Sequence, residues 1–267
     1  MKRERPEYIW DAVRPFLIYN ILFIAIRTVL SGILEYILLD PAQETVSVSL
    51  LWSEISQIAI IGITSVCAAI PLMGVGQRSI MIMRGRSEQA WITNRRDSRL
   101  LLSILPLGTL SLSVLLNLLL SESGASSEVP VSAAAIPAAA AVYGLLTPFI
   151  EELVYRGIVW YRLRKGFTPL QAALLSSLLF GVAHAQIRQG FYAFIMGTVF
   201  ALSYEFTRRF EVPFLLHCSC NLTVLAASSA GYWELFRTPV WVVFFLTASL
   251  AVFVYWGMRI AQSKYRL

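Results

Sequence analysis

Residues 148–160 read PFIEELVYRGIVW, in which Glu151, Glu152 and Arg156 are set into an otherwise apolar run. Charge in hydrocarbon is costly unless it is paired or hydrated, so such a run must carry its own compensation. Glu152 and Arg156 are four apart with the acid on the N-terminal side, a spacing that pairs them along one helix face. Glu151 sits about 100° around the helix from Glu152. It can therefore face a cavity while its neighbour holds the arginine. The stretch reads as a membrane helix with an internal polar face.

Composition agrees. Of 267 residues, 57% are apolar and 14% charged, and the mean hydropathy is +0.66. A soluble domain carries about 25% charged and about 45–50% apolar residues. The chain lacks the polar coat of a soluble enzyme, a DNA-binding module or a disordered tail. A span needs roughly 20 mostly apolar residues, and eight segments meet or approach that length: about 16–39, 50–74, 100–120, 131–160, 169–186, 191–207, 212–229 and 239–260. The expected fold is all-α, a single polytopic helical membrane bundle of eight transmembrane helices. Residues 1–130 supply variable N-terminal spans, 131–229 the spans that carry the polar groups, and 239–260 the last span. The first run, from Phe16 to Leu39, is too long for a signal-peptide core and lacks a small-residue cleavage site, so an uncleaved first span is expected.

The net charge of +6 resides in the connections. Eighteen of the 22 basic residues fall on one side of the eight-span arrangement, Arg188 and Arg237 on the other, and Arg27 and Arg156 within spans. Basic connections are retained in the cytoplasm. Both termini are therefore expected there, the basic residues act as topology signals, and no nucleic-acid partner is implied. The compact loops point to a bacterial plasma membrane. Cys67, Cys218 and Cys220 lie in apolar stretches and form neither a disulfide framework nor a complete metal set. They are expected to be small buried residues.

The chain has only two histidines, and both lie in or beside spans. His184 ends the run Phe180-Gly-Val-Ala-His184, with Phe180 one turn earlier and able to wall the imidazole. His217 and Asn221 are four apart and project together. One free carboxylate, two imidazoles and an amide can thus converge from three helices. A carboxylate hydrogen-bonded to water can serve as general base, and an imidazole and an amide can donate to the oxyanion of a tetrahedral intermediate. The inventory suits peptide-bond hydrolysis within a membrane.

The three motifs, Glu151-Glu152-x-x-x-Arg156, Phe180-x-x-x-His184 and His217-x-x-x-Asn221, occur in that order. Together with Tyr204-x-x-Thr207 and Pro213 before the third, they resemble the CAAX-prenyl-protease and bacteriocin-processing (CPBP, or Abi) intramembrane peptidases over about residues 143–225. The resemblance implies a glutamate-centred endopeptidase in which Glu151, helped by His184, activates water while His217 and Asn221 stabilise the oxyanion. Glu152, Arg156 and Phe180 are then supporting residues. The implied partners are a membrane-associated protein or peptide substrate and the lipid bilayer.

Other readings use the same residues. A non-proteolytic scaffold or immunity protein would keep the polar cluster for binding and stability. A transporter is disfavoured because no internal repeat is visible. Glu151, His184 and His217 would make a zinc set of two histidines and a glutamate with an open position. There is no H-E-x-x-H helix, however, and each ligand would come from a different span, so a mechanism without metal or cofactor is preferred. Asp11, Asp40 and Asp97 lie in loops or tails, which leaves no membrane aspartyl dyad. Arg27, Glu35 and Glu54 are expected at interfaces or paired among themselves, and Trp241, Tyr255 and Trp256 as interface anchors. At about 1.5 Å per residue, His184 would lie about 22 Å into its span and His217 about 8 Å into its own. A re-entrant turn over Gln186–Gly190 that lines a wet cavity is expected to bring them level.

Overall fold

A computed structural model describes residues 5–38, 46–85, 95–120 and 131–264. Asp40 and four of the eighteen basic residues assigned to one side, Lys2, Arg3, Arg86 and Arg266, lie outside the described residues. Among the described residues the chain is helical and has no strand. The helices are α1 (Arg5–Leu38), α2 (Val46–Gly85), α3 (Arg95–Leu120), α4 (Ile136–Leu163), α5 (Pro169–Val182), α6 (Ile187–Thr207), α7 (Glu211–Ala230) and α8 (Pro239–Lys264), with one isolated turn at Trp233–Phe236. The protein is a helical membrane bundle, in which α1 to α4, α7 and α8 are six helices long and apolar enough to cross a membrane. α5 has 14 residues. At about 1.5 Å per residue it falls short of a hydrocarbon core about 30 Å thick. α6 has the length, 21 residues, but carries Arg188, Gln189 and Glu205 within it.

α4 is the centre. Glu152 through Trp160 are buried without a break, so this part of the helix has neighbours on every side. Alanines bring those neighbours close: Ala12 of α1, Ala68 and Ala69 of α2, Ala172 and Ala173 of α5, and Ala193 and Ala201 of α6 share one core with it. Small residues at helix contacts let backbones approach in lipid. Glycine goes further. A Cβ on Gly76 would stand 2.7 Å from Leu153, and one on Gly181 would stand 2.6 Å from the Gly190 carbonyl oxygen. The α5–α6 hairpin therefore closes backbone against backbone.

That closure moves the expected turn. Ile187–Gly190 is already the first turn of α6, with the Gly190 N–H donating to the Gln186 carbonyl at 2.8 Å. The chain reverses over Ala183–Gln186, which puts His184 in the turn itself. α5 starts on a capping box in which Thr168 and Gln171 exchange hydrogen bonds, with Pro169 at the first helical position.

A second core joins α3, α6, α7 and α8 through Leu105, Met196, Phe200, Phe206, Leu216 and Trp256. Trp256 is thus a core residue, 6% exposed with its ring 5.2 Å from that of Phe206, rather than an interface anchor. The face of α8 that looks outward carries Val240, Val243, Leu246, Leu250 and Val254. Trp256 lies on the opposite stripe, against α6. Glu54 accepts the Ser132 backbone N–H at 2.8 Å and so ties α2 to the approach of α4.

Candidate active site

Two wide π-helical stretches, Ala140–Leu146 and Tyr155–Trp160, flank the regular segment Thr147–Val154 that carries both glutamates. The first stretch ends for a covalent reason. The Thr147 N–H reaches back to the Val142 carbonyl, and Pro148, next in line, has no N–H to offer the Tyr143 carbonyl. Asn221 fills that position: its Nδ2 donates to the Tyr143 carbonyl at 2.9 Å. A proline on α4 therefore creates the acceptor that holds an amide of α7. Pro148→Ala restores a competing N–H. It is expected to release Asn221 and to slow any reaction that depends on it by roughly three- to tenfold, the scale of one hydrogen bond. Thermal unfolding is expected to stay level or rise, because an interior proline is removed. Rate and melting temperature measured together check this.

Glu152 is fully buried, and its Oε1 accepts from Arg156 Nη1 at 2.7 Å and from His217 Nδ1 at 2.9 Å. Arg156, 1% exposed, also donates from Nη2 to the Gly197 carbonyl at 3.0 Å. Its guanidinium lies 4.9 Å from the Phe180 ring centroid and 5.4 Å from that of Phe200, a placement that the ring quadrupoles favour. The expected Glu152–Arg156 pair is thus present, and it has a second duty: the same carboxylate oxygen orients His217.

Glu151 lies on the other face of α4, with 19% of its side chain exposed against none for Glu152. The imidazole it meets is that of His217, with Oε2 3.6 Å from Nε2. That exceeds a direct hydrogen bond and leaves a gap that one water can bridge. His184 Nδ1 lies 2.8 Å from the Phe180 carbonyl. A carbonyl only accepts, so Nδ1 carries the hydrogen and Nε2 is left to face outward. Both imidazoles pack edge-on to one phenyl ring, Phe180, at 4.9 Å for His184 and 5.9 Å for His217. Tyr155 meets that ring at 4.8 Å and is held at its hydroxyl by Asn20 Nδ2 of α1.

Glu151, Glu152 and Arg156 on α4 are therefore joined by Phe180 of α5, His184 of the α5–α6 turn, and His217 and Asn221 of α7. Among the described residues no three of His, Cys, Asp and Glu are grouped as a metal-holding set, so Glu151, His184 and His217 do not form one in this geometry. Cys67, Cys218 and Cys220 are free, and the last two are buried. Several contributors have no motif position. The Gly197 carbonyl, the Tyr143 carbonyl and Phe200 reach the site across helix contacts that no local spacing marks. Glu205 belongs to no motif either. It is fully buried, accepts from Arg164 at 2.7 and 3.1 Å and from Arg208 at 2.6 Å, and thereby fastens the ends of α4 and α6. Arg208 sits at the end of α6 with a left-handed φ of 55°.

Residues 133–223 match the family of Type II CAAX prenyl endopeptidase Rce1-like proteins. The putative membrane peptidase YdiL of Bacillus subtilis (strain 168) is 32% identical over 91 residues, 34% of this chain and 37% of that protein. The membrane-embedded CAAX protease MroQ of Staphylococcus aureus (strain USA300) is 30% identical over 83 residues, 29% of this chain and 34% of that protein. The aligned part spans about a third of the length of these relatives. No solved structure matches. The resemblance to CAAX-type membrane peptidases thus holds over the stretch that carries all the motif residues, and the chain is a multi-pass integral membrane protein.

Proposed function

We propose that this Rce1-like segment makes the chain an intramembrane endopeptidase, hydrolysing a peptide bond of a membrane-associated protein or peptide by a Glu/His-activated water. The observation that carries the reading is the relay Arg156–Glu152–His217–Glu151, which runs from a fully buried ion pair to a part-exposed carboxylate. A purely structural ion pair ends at Arg156 and Glu152. Here it continues through an imidazole whose second nitrogen faces a second acid.

In this mechanism Glu151 takes a proton from water as its oxygen attacks the substrate carbonyl carbon. The carbonyl electron pair moves to oxygen, and His184 Nε2 shares the orientation of the attacking water. The proton on Glu151 lies opposite His217 Nε2, which can hold it and offer it to the oxyanion beside the free N–H of Asn221. Collapse of the intermediate breaks the C–N bond. The proton passes to the leaving amine, giving one carboxyl and one amino terminus. The bulk of the work is positioning and charge placement in a dry site, where such dipoles act strongly.

The test is cleavage of membrane peptides, a CAAX-ended reporter included, by the purified chain in liposomes, with new termini read by mass spectrometry. The expected result is a defined new terminus with the native chain and none with Glu151→Gln. Cleavage that survives in Glu151→Gln would overturn the reading. Intact biological function in that variant would favour the scaffold alternative.

A further inference from the structure

Phe200 of α6 belongs to none of the motifs, yet its ring lies face to face with His217, centroids 4.9 Å apart and planes 24° from parallel. The same ring carries the Arg156 guanidinium at 5.4 Å. Phe200 is itself 1% exposed and fixed in the core that joins α3, α6, α7 and α8. His217 has one hydrogen bond of normal length, Nδ1 to Glu152. A single bond fixes a distance but leaves the imidazole free to turn about it. Nε2 points at Glu151 only if that rotation is stopped. The edge contact from Phe180 at 81° touches one side of the imidazole. Phe200 supplies the face.

We propose that Phe200 is a positioning residue, which sets the plane of His217 and so aims Nε2 at Glu151. Its consequence for catalysis rests on the endopeptidase reading. The geometric claim does not.

The two histidines of the chain allow a direct test. Purified native protein, Phe200→Leu and Phe200→Tyr are treated with diethyl pyrocarbonate in detergent, and carbethoxylation at His217 and His184 is followed by mass spectrometry. His184 is the internal reference. In Phe200→Leu the rate at His217 relative to His184 is expected to rise roughly three- to tenfold, the scale of one lost aromatic stack. Phe200→Tyr, which keeps the ring, is expected to hold the native ratio. Phe200→Met takes the place of the leucine variant if that one does not accumulate. An unchanged ratio in the aliphatic variant overturns the proposal, as does a parallel rise at both histidines, which marks general loosening. Where the native chain cleaves a reporter, kcat is expected to fall about as much in Phe200→Leu with KM nearly constant, since the stack acts on His217 rather than on substrate. A native chain that cleaves nothing counts against the endopeptidase reading alone, because the histidine ratio needs no turnover.

Discussion

Glu151→Gln is expected to abolish cleavage, lowering the rate by about 10²–10⁴-fold, the range assigned to a positioned general base. The amide keeps the volume and one acceptor oxygen of the carboxylate but cannot take a proton from water. Folding should be spared. Glu151 is the part-exposed member of the two acids, and its contact with His217 is 3.6 Å, too long for a structural hydrogen bond. The check is reporter cleavage alongside thermal unfolding and elution in detergent. Comparable cleavage in native and variant proteins would remove Glu151 from the chemistry.

Arg156→Leu is expected to produce the largest loss of stability. Glu152 and Arg156 are both essentially unexposed and 2.7 Å apart. Removing one partner of a buried pair costs about 3–5 kcal/mol, because the other charge stays buried without compensation. The variant should unfold well below the native temperature and accumulate poorly. Converting both residues to leucine takes away the stranded charge and should recover much of that stability. Cleavage should not recover, since His217 has then lost the acceptor for Nδ1. Thermal unfolding of the single and double variants decides the matter. Equal melting of Arg156→Leu and the native chain would mean that the pair contributes nothing.

What could be read in the sequence was what short spacings encode. The Glu152–Arg156 pair follows from a four-residue interval on one helix, and the structure has it at 2.7 Å. The separation of duties between Glu151 and Glu152 follows from helical rotation, and their exposures differ accordingly. The contact between Glu151 and His217, at 3.6 Å, is not legible in the sequence. Contacts between helices are set by packing depth and rotation, and neither has a periodic signature. Phe200, Gly197 and the Tyr143 carbonyl escape notice for that reason. The position of the α5–α6 turn has no local mark either, because Ala183 and Ala185 flank His184 without a turn residue. Only the approach of Gly181 to Gly190 fixes where the chain reverses. The core position of Trp256 is equally hidden, because aromatic character near a helix end is the same whether the ring faces lipid or α6.

The two wide turns of α4 make the orientation of Glu151 depend on a kind of change that point substitutions do not sample. Each such turn accommodates surplus backbone, so the angular phase of the eight residues between them is dictated from both ends. Losing the surplus residue of Ala140–Leu146 would relax that stretch to regular helix with little change of phase, but deleting one residue between Thr147 and Ile150, where there is no surplus to give up, would swing everything upstream about 100° relative to Glu151. Gly144, whose bare Cα admits Leu222 of α7, would then meet the wrong neighbour. In this helix a change of length therefore threatens the site more than most changes of side chain do.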